Sequence, residues 1–174
     1  DAVGSATDKE AARRRRMTLS NLAALNQRLG ADERALDVYA QLSADETMRP
    51  NEEAQLLVNQ GALMRRLGDP VKALDLYRSA QQLFARAAHR DGEIGAWRNI
   101  GIVYALDEND YPRALDAFDT ALRLARASSN ERGKVQALLY RGEVLRRLDR
   151  RADALDDLQH ALSAARSTGL VEEQ

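Results

Sequence analysis

The chain repeats itself about every 40 residues, and this periodicity restricts its fold to an array of similar units. Four segments carry the same motif around an Ala-Leu pair: GADERALDVYAQL (30–42), GDPVKALDLYRSA (68–80), NDYPRALDAFDTA (109–121) and DRRADALDDLQHA (149–161). The alanines of the four pairs, Ala35, Ala73, Ala114 and Ala154, lie 38, 41 and 40 residues apart. Since a unit this small cannot bury its apolar face alone, the repetition predicts a stack in which each unit packs on its neighbours.

Each unit contains a second block upstream of its Ala-Leu pair, and both blocks have the apolar spacing of a helix. The upstream blocks are NLAALNQRL (21–29), NQGALMRRL (59–67), NIGIVYAL (99–106) and YRGEVLRRL (140–148). Gly30 and Gly68 follow the first helix of their units, while Pro70 and Pro112 fall in the first turn of the second helix, as helix ends and starts prefer. We therefore predict an all-α chain of helical pairs, and name the two members of each pair helix A and helix B.

The third unit identifies the type of repeat most clearly. Its helix A carries Trp97, Ile100, Gly101 and Tyr104, and its helix B carries Ala114, Phe118 and Ala121. This arrangement resembles the tetratricopeptide repeat, and the period near 40 resembles a long-period subgroup of that family, whose usual repeat has about 34 residues. The resemblance implies a right-handed α-α superhelix, or solenoid, of about four helix-turn-helix repeats. It also implies binding rather than catalysis, with a peptide or a partner protein held in a concave groove lined by the helices A.

On this pattern, residues 1–174 form a single domain. We place the repeats at approximately 8–45, 51–89, 91–128 and 131–168. Residues 169–174 are similar to the segments that open helix A elsewhere, so they are expected to begin a further repeat. The terminal repeats of such an array have an exposed face, which makes homo-oligomerisation through them a further expectation.

The charge balance and the lack of long apolar runs exclude several classes of partner. The chain has a net charge of −1, whereas nucleic-acid-binding domains usually present a strongly basic surface. No apolar run approaches the roughly 20 residues that a membrane span needs. We therefore expect neither nucleic acid nor a membrane as partner, and a cytoplasmic location.

Helical geometry at 100° per residue predicts which residues of the helices A line the groove. Three asparagines at one repeat position would form a ladder of amides that reads a peptide backbone, interrupted by a tyrosine in the fourth repeat. Asparagines that merely face water or bond the next repeat are the alternative. The predicted groove residues are Asn21, Asn59, Asn99, Tyr140, Val58 and Ile102, with Gln55 and Gln136 on the same face.

A set of arginines on this face favours an acidic protein or peptide as ligand, because guanidinium groups pair with carboxylates through two hydrogen bonds. Solvated arginines that suit the negative ends of the helix dipoles are the alternative. The family's carboxylate-clamp positions hold Ser20, Ala24 and Gly95 here, so that specialised function is not expected. The arginines are Arg65, Arg66, Arg98, Arg146 and Arg147.

The sequence offers little for catalysis. His89 and His160 are assigned to different helices B, cysteine is absent, and the motifs of hydrolases, phosphate-binding loops and zinc proteases do not occur. We therefore predict a scaffold that is not an enzyme and that uses no metal or other cofactor. Two alternatives remain open: a regulatory or sensor segment of a larger bacterial signalling protein, such as a signalling ATPase regulator or a caspase-like CHAT protein, and a self-assembling structural array.

Overall fold

Eight helices form the part of the chain that the computed structural model describes, residues 2–45, 47–167 and 169, and no strand occurs within these ranges. The all-α prediction is thereby confirmed. Helices A are α1, α3, α5 and α7, and helices B are α2, α4, α6 and α8. Their bounds are Ala2–Arg28 (α1), Asp32–Ser43 (α2), Pro50–Arg66 (α3), Pro70–Arg86 (α4), Arg90–Leu106 (α5), Tyr111–Ala127 (α6), Glu131–Arg147 (α7) and Arg151–Ser167 (α8).

The helix boundaries follow the predicted stop and start signals. Gly30 and Gly68 adopt the left-handed conformation after α1 and α3, with φ of 71° and 83°. The side chains of Asp69 and Asp110 then cap α4 and α6, accepting the backbone N–H groups of Lys72 at 2.9 Å and Arg113 at 3.0 Å. A side-chain oxygen at this position satisfies a backbone donor that the first helical turn leaves without a partner.

Four other turns use a non-glycine residue in the left-handed conformation, which the sequence does not reveal. Ala88, Asn109, Ser129 and Asp149 have φ between 53° and 58°. Each residue stands where a helix has ended and the next one is about to start. The geometry of the tight turn between two packed helices therefore imposes a conformation that these side chains tolerate at some cost.

Within each hairpin, a small residue of helix A lets an aromatic ring of helix B approach its backbone. A Cβ atom added at Gly61 would lie 2.7 Å from the ring of Tyr77, and one added at Gly101 would lie 2.6 Å from the ring of Phe118. Both rings are buried. Neither glycine can gain a side chain without displacing its ring, which confirms the register that the resemblance implies for the second and third repeats.

Helices A form one layer and helices B the other. Within the described ranges, Cα atoms of each helix A lie within 8 Å of the next helix A, whereas consecutive helices B do not approach one another to that distance. Because the layer with the closer helices lies on the inside of a curved stack, the helices A line its concave side. Helix α2 has 12 residues where the later helices have 17, so the first hairpin is the least regular of the four.

The two ends of the stack expose apolar residues whose equivalents are buried in the middle. Leu122 of α6 is 2% exposed, while Leu162, at the same repeat position in α8, is 45% exposed. Leu25 of α1 is 49% exposed, while its equivalent in α5, Val103, is fully buried. The predicted start of a further repeat falls at 169–174, and apart from Gly169 it lies outside the described residues.

None of the helices in the described ranges combines the length and the apolar character that a bilayer span requires.

Candidate functional site

A cavity of about 750 Å³ opens on the concave side between the amino-terminal halves of α3, α5 and α7. Its buried floor includes Phe84 and Ile94, and its wall is mainly polar. The helices A of three successive repeats therefore form one shared recess. Side chains that border it include Gln55, Val58, Arg98, Asn99, Arg132 and Gln136.

The cavity brings together three of the residues predicted from the helical face, Val58, Arg98 and Asn99. It also includes Asp91 and Arg132, which the sequence did not single out. These two occupy the same position in the first turns of α5 and α7, ten residues before Gly101 and Gly142. Comparing the first turns of successive helices A could have found them, because the repeat places both on the same rim.

The predicted amide ladder is only partly present in the cavity. Asn59 accepts a hydrogen bond from Gln55 at 3.1 Å through Oδ1, and Asn99 accepts one from Arg98 at 3.5 Å. Asn21 is exposed on α1. Of the three asparagines, only Asn99 borders the cavity, and Gln55 and Gln136 border it on the neighbouring helices.

Arg65 and Arg66 of α3 join successive repeats. Arg65 forms an ion pair with Asp107 at 2.5 Å, between the second and third repeats. Arg66 pairs with Asp32 and donates to the backbone carbonyl of Gln27, both in the first repeat. Both arginines therefore form ion pairs with a carboxylate of a neighbouring repeat.

Arg146 and Arg147 instead pair within α7. Their guanidinium groups contact Glu143 at 2.8 Å and 3.0 Å. The hydrogen bond from Arg146, reinforced by Arg147, lowers the pKa of Glu143 to about 2. This cluster keeps its carboxylate ionised at any pH near neutrality, and none of its residues borders the cavity.

Tyr140 and Ile102 also lie away from the cavity. The ring of Tyr140 stacks on Phe118, with 5.7 Å between their centroids, and leaves 40% of the residue exposed. Ile102 is half-buried and packs against the main core cluster. Tyr77 belongs to the same core cluster, and burial raises its pKa to about 12.

The two histidines stand far apart in the chain, and one assignment from the sequence is wrong. His89 does not belong to a helix B, because α4 ends at Arg86 and His89 caps α5, its Nδ1 accepting the backbone N–H of Gly92 at 3.0 Å. A lone pair on Nδ1 is needed for this cap. His160 lies on α8 beside Asp156. Within the described ranges, no group of three His, Asp or Glu side chains could hold a metal ion.

Comparison with models of protein families identifies one related family. Residues 52–127 match the family model of the tetratricopeptide repeat. A comparison with curated protein sequences finds no match.

Several solved structures share the fold. The apo form of RapI aligns with a TM-score of 0.78 and 14% identity over 89% of this chain and 57% of that one. Aspartyl phosphate phosphatase F from Bacillus subtilis aligns with a TM-score of 0.75 and 15% identity over 94% of this chain and 44% of that one. MamA aligns with a TM-score of 0.65 and 16% identity over 90% of this chain and 81% of that one.

The chain thus spans little more than half the length of RapI and less than half that of the phosphatase. At these identities the similarity concerns the fold alone. Together with the family match, the repeated helical hairpins and the glycine-to-aromatic register, it shows an all-helical solenoid whose residues 52–127 are tetratricopeptide repeats, a type of repeat that generally serves in protein-interaction scaffolds.

Proposed function

We propose that the chain binds an extended segment of a partner protein in its concave groove, with the cavity between α3, α5 and α7 as the central part of the site. The main support for this proposal is the size and the chemistry of the cavity. Its volume of about 750 Å³ lies within the range of roughly 300–1,000 Å³ that is usual for ligand sites. Its wall combines side-chain amides with an arginine and a carboxylate on the rim.

The chemistry of this wall suits a polypeptide. Side-chain amides supply both a donor and an acceptor, which is what a peptide unit requires. In Asn99, which borders the cavity, and in Asn59, which follows the lining residue Val58 on α3, a neighbouring side chain donates to the amide oxygen, so the amide N–H groups remain to donate to a ligand carbonyl. Two buried apolar side chains, Phe84 and Ile94, form part of the floor of the recess.

The remaining predicted residues belong to the proposal as the outer parts of the same groove. We assign them the role of extending contacts toward the first and fourth repeats, beyond the central cavity. They are Asn21, Tyr140, Ile102, Arg65, Arg66, Arg146 and Arg147. No cofactor and no catalytic step enters the proposal, and residues 1–174 act in it as one domain.

Selection from a displayed library of short random peptides tests this proposal. The wild-type chain is expected to enrich a family of related peptides, and an Asn59→Ala/Asn99→Ala variant to bind them at least several-fold more weakly. Gln82→Ala/Gln159→Ala removes two exposed amides from helices B and serves as the matched control. Circular dichroism confirms folding of each variant. Enrichment of no peptide, or equal binding by the groove variant and the control, would contradict groove binding.

Self-assembly is a second candidate function, and the exposed ends of the stack favour it. Leu162 of α8 and Leu25 of α1 are exposed, whereas their equivalents in the middle of the array, Leu122 and Val103, are buried. Two copies stacked end to end would bury both. Sedimentation velocity tests this: concentration-dependent association that Leu25→Glu and Leu162→Glu each abolish would support it, and a monomer at all concentrations would refute it.

A regulatory segment of a larger bacterial signalling protein is the other candidate. The similarity to RapI and to aspartyl phosphate phosphatase F favours it, although the chain covers only part of either protein. In this setting the groove would hold a segment of the same polypeptide. A peptide from the parent protein that competes with the selected peptides would support this arrangement, and its failure to compete would count against it.

A further inference from the structure

The lining of the central cavity includes a position where one repeat lacks the side chain that its neighbours have. Gly95 of α5 is the equivalent of Gln55 in α3 and Gln136 in α7, each six residues before the glycine that faces helix B. A Cβ atom added at Gly95 would meet only Nη2 of Arg98, at 4.0 Å, within a 4 Å radius. We call this open space above Gly95, between Gln55 and Gln136, the notch.

Arg98 stands beside the notch with its charge uncompensated. Its guanidinium donates to the side-chain oxygens of Gln136 and Asn99, which are neutral groups. None of the ion pairs found in the described part of the chain includes Arg98.

The other half-buried arginines of the described ranges behave differently. Arg16, Arg65 and Arg141 each form an ion pair with at least one carboxylate. A partly buried cation gains most from an anionic partner, because water screens the pair less than it does at an exposed site. Arg98 is the exception, and it borders the cavity.

The other charged groups at the cavity do not cancel this charge. Arg132, which is exposed, adds a second positive charge at the rim. Asp91, also exposed, accepts a hydrogen bond from Asn130 at 2.7 Å and contributes the one negative charge. The lining therefore has a formal charge of +1, which complements a single carboxylate better than an apolar side chain or a doubly charged phosphate.

We propose that the notch above Gly95 receives the carboxylate side chain of an Asp or Glu in the bound segment, and that Arg98 is its anion partner. This inference rests on the proposed groove function and specifies its ligand. The segment runs across α3, α5 and α7, and its acidic side chain enters at the only one of these three helices that leaves the space open.

A titration with capped single amino acids tests the notch without any selected peptide. The probes are N-acetyl-glutamate methylamide and the corresponding glutamine compound, added at matched ionic strength while the Nε–Hε signal of Arg98 is followed by NMR. We expect the glutamate probe to move this signal and the glutamine probe to leave it unchanged. Gly95→Gln, which gives the third repeat the side chain of its neighbours and fills the notch, should abolish the effect.

Arg123→Gln is the control for general attraction of the acidic probe to arginines, because it removes a positive charge from an exposed position on α6 outside the cavity. It should leave the response of Arg98 intact. An equal response to both probes, a response that survives Gly95→Gln, or no response to glutamate would overturn the assignment.

A double-mutant cycle then applies the same test to peptides enriched in the library selection. Replacing the acidic residue of the peptide by its amide should weaken binding to the wild type about tenfold or more, as expected for a charge-assisted hydrogen bond. The same replacement should have little effect on binding to Arg98→Gln. Peptides that bind without any acidic position, or that lose affinity equally in both proteins, would overturn the carboxylate site and leave groove binding intact. Failure to enrich any peptide would instead contradict the proposed function itself.

Discussion

Two glycines of α5 provide a paired test of the structure, because alanine should have opposite effects at the two positions. At Gly95 a Cβ atom enters open space, whereas at Gly101 it would lie 2.6–2.8 Å from three ring atoms of Phe118. Alanine gains about 0.5–1 kcal/mol over glycine in a helix interior at either site. Gly95→Ala should therefore stabilise the chain by about that amount.

At Gly101 the same gain competes with overpacking. Phe118 is fully buried and cannot withdraw without disturbing its neighbours, and such overpacking costs about 1–3 kcal/mol. Because the propensity gain is common to both variants, the difference between their free energies of unfolding equals the overpacking cost. We therefore expect Gly101→Ala to be less stable than Gly95→Ala by about 1–3 kcal/mol.

Urea denaturation followed by tryptophan fluorescence measures this difference. The single tryptophan, Trp97, lies on α5 between the two glycines and reports unfolding of the same repeat. Circular dichroism at the same urea concentrations shows whether the other repeats unfold together with it. Equal stabilisation of both variants would refute the close approach of Phe118 to the backbone of α5, and with it the register of helices A and B.

Two further predictions concern charged groups. Arg141 binds the buried carboxylate of Asp157 through two hydrogen bonds of 2.5 Å and 2.7 Å, so Arg141→Met should destabilise the chain by about 3–5 kcal/mol in urea denaturation. Adding Asp157→Leu should restore much of this loss, and no recovery would contradict the ion-pair account. The pKa of Glu143 is about 2 in the folded chain and about 4.3 in the unfolded chain. Its ion pairs therefore stabilise the folded chain fully above about pH 4.3, and this stabilisation is lost as the pH falls through about 2. An NMR titration should give a midpoint near pH 2 that rises in Arg146→Gln, while a wild-type midpoint near 4.3 would contradict the pairing.

The repeat pattern predicts most of the fold because local signals of the same kinds recur along the array, although no unit carries all of them. Glycines after helices A, proline or aspartate before helices B, and the pairing of Gly61 and Gly101 with aromatic rings all act within one hairpin. The left-handed turns at Ala88 and Ser129 were not predicted from the sequence. No glycine marks them, and the packing of the adjoining helices sets their conformation.

The candidate site was less predictable from the sequence. Helical geometry places Val58, Arg98 and Asn99 on one face, and the structure shows that this face borders the cavity. The placement depends only on the period of the helix. Helical geometry cannot show that Arg65 reaches Asp107, 42 residues away, since that contact depends on the spacing between repeats. Nor can it show that Gly95 borders a cavity, because the lining comes from three neighbouring repeats.

The most direct test of the central claim is to map a selected peptide onto the backbone amides of the protein by NMR. Groove binding predicts chemical-shift changes concentrated on the amino-terminal halves of α3, α5 and α7, with the largest around Gly95 and Asn99. The helices α4, α6 and α8 should show small changes. Shifts concentrated on these helices B, or on the exposed faces of α1 and α8, would contradict a concave binding site.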